Sequence, residues 1–268
     1  MSLLPINTFF KLSSSSPLTT THQSLSLFPP TVTMSTVTAA MQQRISTRAF
    51  HRDRPVTREM VEELLENAIR APSGGNTQPW HLYVVCGDER ARLTGKALDA
   101  VQSGTPFPEE FAMYPSKETS PPEYMDRRRT LGYAMYSLWG VDRKDFAGRA
   151  AKMAANWDFF GAPVGIIVTV DKVVDRNGWG HVGALLQSIA LLAEERGMAT
   201  CLQEAWANLG RTVYDTLDIP DTEMVWCGIS LGYADKSDPV NTLRSEREPL
   251  SKVASFRGFD QHEGKAKL

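Results

Sequence analysis

Ten residues, Ala71-Pro72-Ser73-Gly74-Gly75-Asn76-Thr77-Gln78-Pro79-Trp80, join a stretch of helical periodicity to a run of strand character, and they leave the backbone few choices. Pro72 and Pro79 fix φ at both ends, and the Gly74-Gly75 pair permits positive φ or close backbone approach in the middle. Asn76 and Gln78 carry neutral groups that both donate and accept, with nothing adjacent in sequence to satisfy them. A rigid, polar, uncharged loop of this kind suits the edge of a planar heterocycle with the same capacity. Its composition also fits a plain helix-to-strand connection in which Pro and Gly only set the turn, so the flanking residues have to decide.

Thr57 is a candidate N-cap, and apolar residues at 61, 64, 65, 68 and 69 form one face of a helix that ends at Ala71-Pro72. The loop leads into the strand His81-Leu82-Tyr83-Val84-Val85-Cys86. Ahead of the helix stands Arg44-Ile45-Ser46-Thr47-Arg48-Ala49-Phe50, with two guanidinium groups four residues apart and two hydroxyls between them. Arginine presents a planar fork of donors that matches phosphate oxygens, and Ser or Thr hydroxyls complete such a cradle.

In this order, RxSxRxF, an amphipathic helix, APSxxNxQPW and a strand, the chain resembles the FMN-dependent nitroreductase family, and within it the nitrobenzoate-reducing type. The likeness spans roughly residues 41 to 259. It includes Phe159-Phe160-Gly161-Ala162-Pro163-Val164 before one strand, Gln203-Glu204-Ala205-Trp206 after another, and Ser230-Leu231-Gly232-Tyr233-Ala234-Asp235. The resemblance implies that Arg44, Ile45, Ser46, Thr47 and Arg48 hold the phosphate and ribityl chain of FMN. It also implies that the loop with Ser73, Gly74, Asn76 and Gln78 faces the flavin or the partner subunit. Backbone donors at Leu202, Gln203 and Glu204 would tune the flavin, and Arg247 is the late basic residue that would reach the phosphate. Ser245 stands where many relatives carry a second basic residue, and Arg244 is the candidate to replace it. No side chain is singled out as a catalytic acid or base, because the flavin carries the chemistry.

The rest of the chain alternates helix and strand. Asp88 is a candidate cap for a helix with Leu93, Ala97, Leu98 and Val101 inward. Residues 103 to 146 hold prolines, Tyr114, Tyr124, Tyr133, Tyr136 and Trp139, and the charge run Asp126-Arg127-Arg128-Arg129. An insertion of that length is expected to be a lid or a substrate wall. Its arginines read as a solvated helix face, with attraction of a carboxylated substrate or a pyridine-nucleotide phosphate as the alternative. Val164 to Val170 is a continuous β-branched run, hence a central buried strand. A helix through Val182, Leu185, Leu186, Ile189, Leu192 and Ala193, closed by Gly197, follows it. Met198 to Leu202 and Met224 to Leu231 supply further strands.

Gly178-Trp179-Gly180-His181-Val182-Gly183 matches GxGxxG by letter and competes with this reading, because the motif marks dinucleotide-binding units. That motif needs its first glycine in the tight turn directly after the strand, so that pyrophosphate meets the helix N-terminus. Here residues 171 to 177 intervene, and Trp179 and His181 are bulky where backbone must approach phosphate.

Residues 1 to 40 are Ser/Thr-rich, carry Pro29-Pro30 and contain no Asp or Glu, so they read as a disordered leader ahead of one domain over 41 to 268. An organellar transit peptide is one reading; an upstream extension with initiation at Met34 or Met41 is the other. A net charge of −2 gives no footprint for nucleic acid, and no apolar run reaches a membrane span. Cys86, Cys201 and Cys227 read as small core residues beside strands in a reducing compartment, and no histidine has ligand spacing, so no metal is expected.

The fold expected is α/β of the α+β kind, a mixed sheet flanked by helices in an intertwined homodimer. The function expected from the resemblance is FMN-dependent reduction of nitroaromatic or related conjugated acceptors by NAD(P)H, with ping-pong kinetics. A same-fold reductive dehalogenase, an ene-type reductase and a non-catalytic flavin carrier are the alternatives. The location expected is cytoplasmic, or organellar if the leader is a transit peptide.

Overall fold

The computed structural model describes residues 37–104, 110–174 and 176–258. In chain order the elements are α1 (Val37–Gln43), α2 (Arg58–Ala68), β1 (Trp80–Cys86), α3 (Gly87–Ser103), α4 (Pro122–Leu138), α5 (Phe146–Ala154), β2 (Val164–Asp171), α6 (Arg176–Glu195), β3 (Ala199–Gln203), α7 (Gly210–Leu217), β4 (Glu223–Gly232) and α8 (Leu250–Val253). The four strands form one sheet in the order β1-β2-β4-β3, with every ladder antiparallel. A single parallel bridge, Ser46 to Thr200, adds the RxSxR segment to the β3 edge and makes the pairing mixed.

Helices cover both faces, which is why β2 is buried along nearly its whole length although its neighbours run antiparallel. Val164, Ile166, Val168 and Val170 enter one core with Leu64 of α2 and Val182, Leu185 and Ile189 of α6. Ile167 enters the other with Leu93 and Ala97 of α3, Val213 of α7 and Trp206. At roughly 25 cal/mol per Å² of apolar surface removed from water, these two layers supply the main stabilisation of the domain.

Several local expectations hold. Thr57 caps α2 by accepting the Met60 N–H at 3.3 Å, and Gly197 closes α6 with φ of 67°. Others are corrected. Cys86 caps α3 by position and Asp88 lies within the first turn, where its charge favours the helix dipole but its side chain is not the cap. Cys86 is exposed, because β1 is an edge strand and its last residue points outward, whereas Cys201 and Cys227 are buried as expected. The GxGxxG stretch lies inside α6, where a Cβ on Gly178 would strike the Val174 side chain, so this glycine serves packing.

Residues 37 to 40, grouped with the leader by composition, form the first turn of α1, and Ala40 is 3% exposed. Residues 1 to 36, to which most of the leader expectation applies, lie outside the described residues. Among the described residues, no helix is long and apolar enough to cross a membrane, and no cluster of His, Cys, Asp and Glu could hold a metal ion.

Candidate active site

The stretch from Ser46 to His51, which follows α1, is held by three neighbours. Thr47 donates its N–H to Thr200 O at 3.0 Å on the β3 side. Asp235 donates to Ala49 O at 3.0 Å, and His51 donates to Tyr233 O at 3.0 Å, on the β4 side. Arg44, Ser46 and Arg48 open onto one face, while Thr47 turns inward and is 1% exposed. Thr47 therefore lies off the face that its neighbours present, although its backbone fixes their position.

That face forms a cavity of about 250 Å³, which also takes in Ile45, Leu131, Leu243, Arg244, Ser245 and Arg247. The structure thus brings an early motif and a late one, two hundred residues apart in sequence, to one place. Four guanidinium groups line it: Arg44, Arg48, Arg244 and Arg247. Their protein acceptors are nearly all neutral. Arg48 donates to Ser46 O at 3.0 Å, Arg247 to Ser245 O at 3.1 Å and Glu246 O at 3.0 Å, and Arg244 to Gln42 O at 3.1 Å and Gln43 O at 2.6 Å. Among the described residues none of the four forms an ion pair, and Arg44 Nε is buried without a hydrogen-bond partner. Concentrated positive charge with an orphaned buried donor is chemistry that suits a multiply charged anion.

Arg244 has a second duty. Its two hydrogen bonds cap the C-terminal carbonyls of α1, so it ties α1 to the late loop. Ser245 accepts from Arg247 through its hydroxyl at 2.8 Å and orients that guanidinium.

Asn241 was not legible as a site residue. Its Oδ1 accepts the Arg48 N–H at 2.8 Å, and its Nδ2 donates to Ala49 O at 2.8 Å and Asp235 O at 2.7 Å. The only sequence signal is an Asn closing the short Asp238-Pro239-Val240 turn, where Asp238 caps by accepting the Val240 N–H.

At the end of β3, Gln203 is 2% exposed and its amide is spent internally: Nε2 donates to Asn156 O at 2.6 Å, and Oε1 accepts from Ser230 Oγ at 2.7 Å. What this segment can offer a ligand is its backbone, beside the exposed Leu202 and Glu204. The insertion reaches the same place. Tyr114 stands beside Glu204 under the Arg128 guanidinium, which lies 3.9 Å over its ring. Burial first, then the Glu204 hydrogen bond, push the Tyr114 phenol up to about 12. Burial likewise pushes the Cys201 thiol up to about 11 against the pull of Arg48 and Arg44.

The Ala71–Trp80 loop holds a short 3-10 turn, with three residues in the left-handed region: Gly75 (φ 60°), Asn76 (57°) and Gln78 (47°). Ser73 Oγ accepts the Gln78 N–H at 3.0 Å, and the Gln78 side chain donates to Asn76 O at 3.1 Å, so part of its polarity is satisfied within the loop. Gly74 donates to His181 Nε2 at 3.1 Å, and a Cβ at Gly74 would sit 3.1 Å from that same atom. Strained non-glycine residues in an exposed loop are typical of ligand clamps. Within one chain, however, Ser73, Gly74, Asn76 and Gln78 lie beside α6 and do not line the arginine cavity.

Residues 41–233 match the model of the Nitroreductase family. A 4-nitrobenzoate reductase of Pseudomonas putida is 36% identical over 223 residues, covering 83% of this chain and 96% of that protein. Among solved structures, the FMN and NADPH-dependent nitroreductase NfnB of Sphigopyxis sp. strain HMH superposes with a TM-score of 0.80 at 36% identity, over 84% of this chain and all of that one. The FMN-dependent NfnB of Mycobacterium smegmatis, solved in complex with NADPH, gives 0.76 at 28% identity, over 81% and 96% of the two chains.

Proposed function

The chain belongs to the nitroreductase family, and we propose that it is an FMN-dependent oxidoreductase that uses NAD(P)H to reduce nitroaromatic acceptors. The observation that carries this reading is the cavity in which Arg44, Ser46, Arg48 and Arg247 converge with no carboxylate among them. A phosphate monoester brings close to two negative charges, and each charge-assisted hydrogen bond contributes about 1.5–3 kcal/mol. Three or four such bonds suffice to hold FMN without a covalent link. Bound there, FMN supplies hydride chemistry between nucleotide and acceptor.

The chain's own work is placement. Arg48 and Arg44 fix the phosphate end, and Ser46 adds a hydroxyl on the same face. Backbone at Leu202 to Glu204 offers donors at the sheet edge to which the RxSxR segment is bridged through Thr200. The Ser73–Gln78 loop, remote from the cavity in its own chain, would close the site of a partner chain in a homodimer. Two features favour that assembly: α4, seventeen residues long, has no buried residue in the single chain, and Leu250 and Val253 are exposed apolar groups near the C-terminal end.

One open face serving donor and acceptor in turn gives ping-pong kinetics. Varying NADPH at several fixed concentrations of 4-nitrobenzoate should yield parallel double-reciprocal lines. Intersecting lines contradict a shared face, and absence of NAD(P)H oxidation by any nitroaromatic contradicts the substrate class.

A further inference from the structure

The segment from Arg44 to Arg48 is a wall between two cavities. Arg44, Ser46 and Arg48 line the arginine cavity, Thr47 lines a second one of about 720 Å³, and Ile45 and Arg244 line both. The second cavity lies where the end of α6 turns into β3, and the stretch that follows β4 forms its opposite side.

Its walls carry charges of both signs that are not paired with one another. Arg54 and Lys236 stand on one side and Glu194 and Glu195 at the end of α6 on the other, with Arg244 at the boundary with the arginine cavity. Glu195 is engaged by Arg196 at 3.1 Å. Among the described residues Arg54, Lys236, Arg244 and Glu194 form no ion pair. The Arg54 guanidinium lies 3.4 Å over the Tyr233 ring, a stack that fixes its plane and leaves its N–H groups at the edge for an anion. Burial pushes the Glu194 carboxyl up, against the pull of Arg244, Lys236 and Arg44. These cations are near enough to be felt and too far away to bond, so a half-buried carboxylate is left without a counter-ion.

Separated charges of both signs across one cavity are complementary to a ligand that carries separated charges of its own. A phosphate ester, which suits the neighbouring cavity, brings no cation for Glu194 and would lie against it. Two open cations facing one open carboxylate set the ratio at two anionic groups to one cationic group. We propose that this cavity binds a small zwitterion with one ammonium and two carboxylates, the chemistry shared by an acidic amino acid and a short acidic peptide. Its ammonium pairs with Glu194 and its carboxylates with Arg54 and Lys236, while Arg244 closes the end. A volume of this size admits either source. This binding goes beyond the proposed function and is independent of what the arginine cavity holds.

The test is a calorimetric titration of the full-length protein, as purified, with L-glutamate and with the tripeptide Gly-Gly-Glu, each beside its N-acetylated form. N-acetylation removes the ammonium and keeps both carboxylates. The free amine should bind at least about tenfold more tightly than its acetylated counterpart, and the tighter of the two free ligands identifies the source. Glu194→Gln should abolish that preference, because the amide keeps the shape of the side chain and loses its charge. Lys236→Ala, at an exposed position, should weaken the free ligands about tenfold without lowering the melting temperature. No binding of either free ligand, equal binding of free and acetylated forms, or a preference that survives in Glu194→Gln overturns the proposal. None of these titrations involves flavin or nitroaromatic, so failure here leaves the proposed function standing, and failure of that function leaves this site standing.

Discussion

Asn241 Oδ1 accepts the backbone N–H of Arg48 at 2.8 Å, and this one bond joins the late loop of the chain to the early arginine motif. The same side chain donates to Ala49 and Asp235, so its amide is fully used in holding two segments nearly two hundred residues apart. Arg244 makes a second tie by capping α1. The cavity is thus preorganised by neutral hydrogen bonds, which leaves its guanidinium forks free for an anion.

Replacing Asn241 by Ala should loosen that junction while leaving every cationic group in place. The expected result is a loss of about 1–3 kcal/mol in stability, from carbonyls and an N–H left without partners. More tellingly, affinity for FMN should fall relative to affinity for riboflavin, which lacks the phosphate. A parallel fall for both flavins would show that Asn241 only supports the fold.

Arg48→Ala should raise the Kd for FMN about 10- to 100-fold, the equivalent of one charge-assisted hydrogen bond. Fluorescence titration of the apoprotein reads this directly. Full flavin occupancy with unchanged affinity removes Arg48 from the phosphate site.

Gly165→Ala should destabilise the protein by about 1–3 kcal/mol, since a Cβ there would drive into the Phe159 ring. Phe159 cannot step aside: it is held with φ of 49° and stacks on Trp206 with ring centroids 4.5 Å apart. Gly183→Ala is the control, because a Cβ there meets nothing within 4 Å and helix propensity favours Ala. Thermal denaturation should separate the two, with Gly165→Ala melting lower and Gly183→Ala at or above wild type.

Tyr83 ties β1 to the buried Glu223, which it reaches at 2.9 Å. Burial, reinforced by that carboxylate, pushes its phenol from 10.0 up to about 12. A group raised in the folded state contributes stability that is fully present below the unfolded value and lost as pH rises through the folded one. Stability should therefore decline between pH 10 and 12, as tyrosines ionise in the unfolded chain first. Tyr83→Phe should flatten this slope in alkaline denaturation curves. An identical slope in the variant rules out Tyr83 as its source.

Much of this molecule was legible in its sequence. The β-branched run at Val164–Val170 marked a central strand, and Thr57 marked the start of α2, because both signals are local. The arginine pair stood out for the same reason, because the RxSxR spacing is local, and the structure brings Arg44, Ser46 and Arg48 to one cavity. Asn241 was not, since its role exists only after a long loop returns to Arg48. Cys86 misled because a strand predicts burial only when its position in the sheet is known, and β1 is an edge. The charge run on α4 also needed the fold. Arg127 reaches Glu248 at 3.1 Å and Arg128 lies over Tyr114, so the solvated helix face read from the sequence is one of paired surface groups.

The central claim is that the Arg44–Arg48–Arg247 cavity holds an FMN through which a nucleotide reduces a nitroaromatic. An anaerobic absorbance titration of the purified protein tests it in one cuvette. The flavin spectrum should bleach on stoichiometric addition of NADPH with no acceptor present, and return when 4-nitrobenzoate is added with oxygen still excluded. A protein that carries no FMN, or whose bleached flavin recovers only when air is admitted, contradicts the account.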